Sequence, residues 1–195
     1  GRNGKNVPLG SHQRMKITQI LISGFGGQGI MSLGKALAAT ALAEGKYPIY
    51  FPSYGAEVRG GTAYCFVKIS GQTIASPLID APDIAIIMNQ PSLDKFEKTI
   101  VRKGLLIVNT DLVTTNTFRG DLATIAAPLN ALALSCGNLK VANTIALGIL
   151  VARVPDLLKE ATITRFINAT FGPGELLRQN TEAFRKGIEF SKNYK

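Results

Sequence analysis
The stretch that most constrains this chain lies near its start. Lys16 to Ser23 (KITQILIS) is a short apolar run rich in β-formers, and it passes without a spacer into Gly24-Phe25-Gly26-Gly27-Gln28-Gly29. From Ile30 to Glu44 the chain turns to Ala, Leu and Met at helical spacing, and it stops at Gly45. A strand that feeds a helix through a tight glycine turn has to bury apolar surface on both elements. The stable solution lays the helix back across a sheet, with the next strand parallel to the first. Tyr47 to Phe51 (YPIYF) supplies that strand. The expected class is therefore α/β: a single Rossmann-like, doubly wound domain on a mostly parallel sheet.

Past Phe51 the pattern changes. Pro52 to Gly61 (PSYGAEVRGG) crowds glycines and a proline into a loop. Thr62 to Ile69 (TAYCFVKI) and Thr73 to Ala75 flank Ser70-Gly71-Gln72, which reads as an antiparallel β-hairpin inserted into the sheet. Asp83 to Met88 (DIAIIM), Gly104 to Asn109 (GLLIVN) and Leu122 to Ala126 read as further strands. Ser92 reads as the N-cap of a short helix ending near Arg102, and Thr110 to Asp121 as a polar connection. Helices are expected at Pro128–Ser135, Lys140–Arg153, Asp156–Phe166 and Gly174–Phe190. The Lys140–Arg153 segment is strongly apolar and belongs in a core or an interface, whereas the last helix is amphipathic and carries the basic C-terminus. No repeat or linker divides the chain.

Composition narrows the chemistry. The first fourteen residues, GRNGKNVPLGSHQR, are polar and aperiodic, and we read 1–14 as a vector-derived leader, with 15–195 as the folded module. The leader holds the only histidine, His12, so the module is expected to lack the commonest general base and metal ligand. Setting aside Arg2, Lys5 and Arg14 leaves 19 basic residues against 13 acidic ones, a net charge of +6 in place of +9. That excess is spread along the chain without a basic stripe, so no nucleic-acid partner is expected; an acidic protein surface or an anionic ligand suits it equally well. Cys65 and Cys136 are far apart and form no CxxC, so neither a metal nor a cluster site is expected in this chain. They read as buried thiols of a cytoplasmic protein. No apolar run is long enough for a membrane span.

Two segments carry the candidate site. Gly24, Gly26 and Gly29 satisfy G-x-G-x-x-G between a strand and a helix, where backbone N–H groups can hold an anion. A dinucleotide site also needs an acid near the end of the second strand, and Tyr50-Phe51-Pro52-Ser53 supplies none. No Lys-Ser/Thr follows the glycines, as a nucleoside-triphosphate loop would need. The loop is thus a tight turn, an anion or partner contact, or a NAD or FAD site without its ribose acid. Gln28 is its one polar side chain, set either to meet a ligand or to tie the loop to a neighbour. The second segment, Ser53-Tyr54-Gly55-Ala56-Glu57-Val58-Arg59-Gly60-Gly61, follows the second strand at the carboxyl edge of the sheet, where α/β proteins gather ligands. Glu57 and Arg59 are opposite charges two residues apart, Tyr54 offers a flat surface with a polar tip, and Gly60-Gly61 permits close approach. Either the pair only shapes the loop, or the loop is a contact surface.

SGFGGQGI (Ser23 to Ile30), followed by PSYGAEVRGGTAYCFVKIS (Pro52 to Ser70), resembles the γ subunit of 2-oxoacid:ferredoxin oxidoreductases, as do Asp80-x-Pro82-Asp83 and the helix entry from Asn138 to Asn143. The resemblance implies a Rossmann-like γ chain in a complex that decarboxylates a 2-oxoacid on thiamine diphosphate, passes the acyl group to coenzyme A and reduces ferredoxin. It implies α- and β-type partner subunits, with δ optional, that hold thiamine diphosphate, Mg and [4Fe–4S] centres, and no cofactor and no catalytic residue in this chain. It makes Gly24, Gly26, Gly27, Gln28, Gly29, Ser53, Tyr54, Gly55, Glu57, Arg59, Gly60, Gly61 and Asn143 the ligand- or partner-contacting set. It places the chain near the approach of coenzyme A. A subunit should expose an apolar patch or ordered loop that its partners cover, and self-association through that face makes a homodimer the expected form of the isolated chain. Val58 and Gly61 make YGAEVRGG resemble the 2-oxoglutarate branch more than the pyruvate branch; branched-chain 2-oxoacids and indolepyruvate stay open. A free-standing nucleotide-binding oxidoreductase and a pure assembly module are the competing readings.

Overall fold
A computed structural model describes residues 17–53, 62–76, 81–115 and 117–194; residues 1–14, expected to be a leader, lie outside them. Six strands, β1 (Thr18–Phe25), β2 (Tyr47–Ser53), β3 (Thr62–Ser70), β4 (Ile84–Ile87), β5 (Leu105–Asn109) and β6 (Ala123–Ala127), form one sheet in the order β2-β3-β1-β4-β5-β6. β1, β4, β5 and β6 are parallel, while β3 runs antiparallel to both β1 and β2. The helices are α1 (Ile30–Ala43), α2 (Gln90–Phe96), α3 (Leu129–Leu134), α4 (Ala142–Arg153), α5 (Glu160–Phe171) and α6 (Glu175–Asn193).

Strand alternation divides the core in two. Ile20, Ile22, Val67, Ile86 and Ile107 face α1 and the layer of α3 to α6. Leu21, Ala85, Ile87, Leu106 and Val108 face the other way, against Leu93 and Phe96 of α2. Helices on both faces make the sheet doubly wound, and the chain reverses direction across it between β1 and β4.

Four expectations change, the simplest being that α5 runs Glu160–Phe171 and not Asp156–Phe166. Thr73 to Ala75 is not a strand; the antiparallel pair is β2–β3, joined through the 54–61 segment, with Tyr47 opposite Ser70 and Ser53 opposite Tyr64. The serine–glycine turn signal after Ile69 is local, whereas β3 is held in register by β1, where Ile20, Leu21 and Ile22 are fully buried. β2 therefore does not lie beside β1 as a simple βαβ unit requires, because β3 is interposed. The N-cap of α2 is Asn89, whose side chain accepts from Ser92 N–H at 2.9 Å, with Pro91 in the first turn. Ser92 is instead fully buried and hydrogen-bonded to Ser23 Oγ at 2.9 Å. α2 ends at Phe96, and a 3-10 turn over Glu97–Thr99 completes the segment.

Both sheet edges are blunted. Pro48 and Pro52 lie in register with Ile69 and Cys65 of β3 and have no N–H to donate, so their nitrogens must face outward. Prolines at these two outward positions leave the edge too few N–H groups for strand addition. At the other edge Tyr194, just beyond α6, accepts from Ala126 N–H at 3.0 Å.

Candidate functional site at the carboxyl edge of the sheet
The turn after β1 is held by its own side chain. Phe25 N–H donates to Gln28 Oε1 at 2.6 Å, and Gln28 Nε2 donates to the Met88 carbonyl at 3.4 Å. Gln28 thus ties the loop to β4. A Cβ on Gly24 would lie 2.5 Å from Gln28 Oε1 and 2.8 Å from Met88 Cβ, so closing the loop this way demands glycine. Gly29, the N-cap of α1, has φ 74° and packs on Asn143, whose Nδ2 donates to its carbonyl at 3.3 Å. Gly27 has φ 94°, and among the described residues nothing lies within 4 Å of where its Cβ would stand. Gly26 differs from all three: its φ is not positive, and among the described residues nothing lies within 4 Å of where a Cβ would stand.

Met88 O also accepts from Asn109 Nδ2 at 3.4 Å. Asn109, fully buried at the end of β5, donates to Asn130 Oδ1 at 3.1 Å and accepts from Leu129 N–H at 3.1 Å and Asp111 N–H at 3.3 Å. A continuous polar network therefore runs from the glycine loop through β4 and β5 to α3. Beside it is a crevice of 510 Å³ with apolar walls from Met88, Leu112 and Leu139. Gln28, Asn130, Asn138 and Lys140 are its polar lining. A second hollow, 300 Å³, lies against Phe25, Gly26, Gly29, Ser32 and Ala63. This is the topological switch point, where open α/β sheets bind ligands.

Of the predicted contact residues, the structure brings Gly24, Gly26, Gly27, Gln28, Gly29 and Asn143 together. Ser53 ends β2, two strands from β1, a separation of about 10 Å at ordinary strand spacing. Tyr54, Gly55, Glu57, Val58, Arg59, Gly60 and Gly61 lie outside the described residues, as does Asp80; the flanking Ser53 and Thr62 sit at the carboxyl edge, with Thr62 opposite Phe25. Asn109, Asn130, Met88 and Lys140 were not singled out in the sequence. An Asn at a strand's end before a polar turn is the one signal that could have marked Asn109.

The geometry supports an anion and an apolar body better than a dinucleotide. The strand beside β1 at this edge is the antiparallel β3, so the end of β2 cannot deliver a ribose-binding acid to the loop. Among the described residues, Lys140 is the only ionisable side chain lining the crevice. No group of three or more His, Cys, Asp or Glu able to hold a metal occurs among the described residues. Cys65 is buried, bonded to Ile30 O at 3.5 Å, and burial pushes its thiol up to about 12, so it remains protonated and unreactive. Cys136 is likewise a buried free thiol.

The module thus sets a polar network and an apolar crevice lined by Lys140 at the carboxyl edge of its sheet. Residues 19–190 match the family described as pyruvate ferredoxin/flavodoxin oxidoreductase, and the chain belongs to that family. It is 35% identical over 175 residues, 89% of its length, to ketoisovalerate oxidoreductase subunit VorA of Methanothermobacter thermautotrophicus, of which it spans only 36%. It is 34% identical over 177 residues to the 2-oxoglutarate synthase subunit KorC of Methanocaldococcus jannaschii, covering 89% of this chain and 94% of that one. Among solved structures, a keto/oxoacid ferredoxin oxidoreductase γ subunit from Geobacter sulfurreducens superposes with TM-score 0.77 at 29% identity, covering 90% of this chain and 98% of that one. The 2-oxoglutarate:ferredoxin oxidoreductase of Magnetococcus marinus, solved with 2-oxoglutarate, coenzyme A and succinyl-CoA, shares the fold with TM-score 0.84 at 24% identity, over 92% of this chain and 32% of that one. The γ-subunit resemblance of the two sequence motifs thus holds, and the relatives' names divide between oxoacids.

Proposed function
We propose that this chain is the γ-type component of a multi-subunit 2-oxoacid:ferredoxin oxidoreductase of the cytoplasm, and that it positions coenzyme A and partner subunits without performing bond chemistry. The observation that carries this is the carboxyl-edge crevice of a family member, where Lys140 is the one charge lining it among the described residues. We read thiamine diphosphate, Mg and the iron–sulfur centres as belonging to partner subunits; among the described residues no group of three or more His, Cys, Asp or Glu could hold a metal ion. Thiamine diphosphate in partner subunits would supply decarboxylation, and their iron–sulfur centres would carry the electrons to ferredoxin. In this chain, Lys140 attracts the polyanion, Met88, Leu112 and Leu139 shelter its apolar part, and Gln28 with Asn109 keeps the walls fixed. Among the described residues no helix is long and apolar enough to cross a membrane.

The substrate we favour for the complex is 2-oxoglutarate, on the strength of Val58 and Gly61 in YGAEVRGG; the KorC likeness supports it and the VorA likeness points to ketoisovalerate. The test is to co-purify the complex from its native host and measure viologen reduction with 2-oxoglutarate, ketoisovalerate, pyruvate and indolepyruvate. Coenzyme A-dependent turnover in the complex and none in the isolated chain is the expected outcome. Lys140→Ala should raise KM for coenzyme A roughly fivefold at unchanged kcat, as loss of one phosphate contact implies. Turnover by the isolated chain would end the proposal. A pure assembly role predicts an unchanged KM. It draws its support from Gln28 and Gly29, whose polar groups are satisfied within the chain.

A further inference from the structure
A separate cleft of 240 Å³ lies among α1, α4 and α5. Its floor is the edge of the core, since Leu33, Leu147 and Ile167 line it while being 2%, 4% and 3% exposed. Phe166 and Phe171 form one side, and Phe171 keeps 37% of its surface in water. Residues four apart on a helix share a face, which is why Asn143 with Leu147 and Ile167 with Phe171 reach the same hollow. Among the described residues, Lys35 is the only ionisable side chain in the lining. It is exposed, and it makes no ion pair or hydrogen bond among the described residues. None of the described acids lines the cleft to neutralise it.

An apolar hollow whose described lining carries Lys35 as its one cation suits a ligand with an apolar body and one negative charge. At ~30 Å³ per water, the space matches about eight waters, hence a ligand of roughly ten non-hydrogen atoms. We propose that this cleft binds a small amphipathic monocarboxylate, with an aromatic or branched body against Phe166, Phe171 and Leu147 and its carboxylate held by Lys35. The site is distinct from the carboxyl-edge crevice but shares a wall with the glycine loop, because Asn143 both lines the cleft and donates to Gly29 O. Occupancy therefore reaches the loop through one side chain.

The test titrates the full ¹⁵N-labelled chain with 3-phenylpropanoate and, separately, with the neutral 3-phenylpropanamide at neutral pH. The acid should bind with Kd ~1 mM, as expected of a fragment-sized ligand. Its shifts should centre on Ala36, Leu147 and Phe171, with a smaller one at Gly29. The amide should bind roughly fivefold more weakly, the worth of one exposed charge contact. Lys35→Met should abolish that preference, and Phe171→Ala should weaken both ligands about tenfold; both positions are exposed and lie outside the carboxyl-edge network. The proposal is overturned if no saturable shift appears at tens of millimolar, if the shifts centre on Gly27 and Lys140 instead, or if Lys35→Met binds the acid as the parent does.

Discussion

Two of the regions where glycine permits close approach invite comparison, the crossing of α4 with α6 and the loop after β1. At the crossing, a Cβ added to Gly148 or to Gly187 would stand 3.0 Å from the other's Cα, and the nearest other atoms are backbone of Ile145, Phe184 and Ile188. The two helices meet main chain to main chain, sealed by Thr144 Oγ1 donating to Asn180 Oδ1 at 2.7 Å. In the loop, Gly24 and Gly29 are likewise fixed by the chain's own atoms, Gln28, Met88 and Asn143. Gly26 has no such neighbour among the described residues. A glycine explained by internal contact reports on the fold; one with open space and an ordinary φ leaves room for something further. Within the loop, that contrast sets Gly26 apart from Gly24 and Gly29.

The sharpest way to break the comparison is at the crossing. Gly187→Ala should destabilise by ~3 kcal/mol even after the ~1 kcal/mol that alanine contributes to a helix, because backbone cannot swing aside as a side chain can. For a chain of this size the expected loss in Tm is about 6–12 °C by calorimetry. A near-neutral Gly187→Ala would mean the helices can separate freely, and the contrast would collapse.

Gly29→Ala comes next. It combines a left-handed backbone with the Asn143 contact, and a loss of ~2 kcal/mol is expected in urea unfolding. Asn143→Ala in the same background relieves the contact but not the φ, so it should recover only part of that loss.

A smaller effect tests the far end of α1. Glu44 accepts from Lys159 N–H at 2.7 Å and pairs with Lys46 at 3.1 Å, joining α1 to the start of α5. Burial pulls its carboxyl upward, but the hydrogen bonds from Lys159, Lys46 and Thr162 outweigh that and hold it below its ordinary 4.5. A depressed folded value contributes stability that is complete above the unfolded value and fades as pH falls through the folded one. Chemical unfolding of the parent and Glu44→Gln should therefore differ at pH 7 and converge below about pH 4.

Gly26→Ala should change stability least, within ~0.5 kcal/mol. If the open space at Gly26 serves a ligand or partner, the same variant should lose coenzyme A affinity or subunit recovery in the assembled complex. Unchanged assembly and unchanged kinetics would reduce the loop to a tight turn.

How much of this was legible in the sequence varies with range. β1, the glycine turn and α1 were readable because the signals are local: an apolar run, glycines, then helical spacing. The strands at 84–87, 105–109 and 123–127 were readable as apolar runs, and α4 and α6 by length and periodicity. Ser70-Gly71-Gln72 misled because it looks like a hairpin turn, yet β3 pairs with residues before it, Thr18 to Phe25 and Tyr47 to Ser53. Ser92 misled because both it and Asn89 are good caps, and only burial against Ser23 assigns them different tasks. The crevice itself was half legible: the glycine loop is contiguous, but Asn109, Asn130 and Lys140 reach it from separate strands and turns.

By itself, the sequence determined the α/β class, the strand–glycine–helix unit, the paired motifs of the family and the wide spacing of the two cysteines. These follow from periodicity, residue type and spacing, which act over a few neighbours. The tertiary structure alone decided that β3 sits between β2 and β1, that Gln28 and Asn109 share the Met88 carbonyl, and that Gly148 faces Gly187. Each of these joins residues distant in the chain, and only burial shared across the sheet and at the helix crossing brings them together.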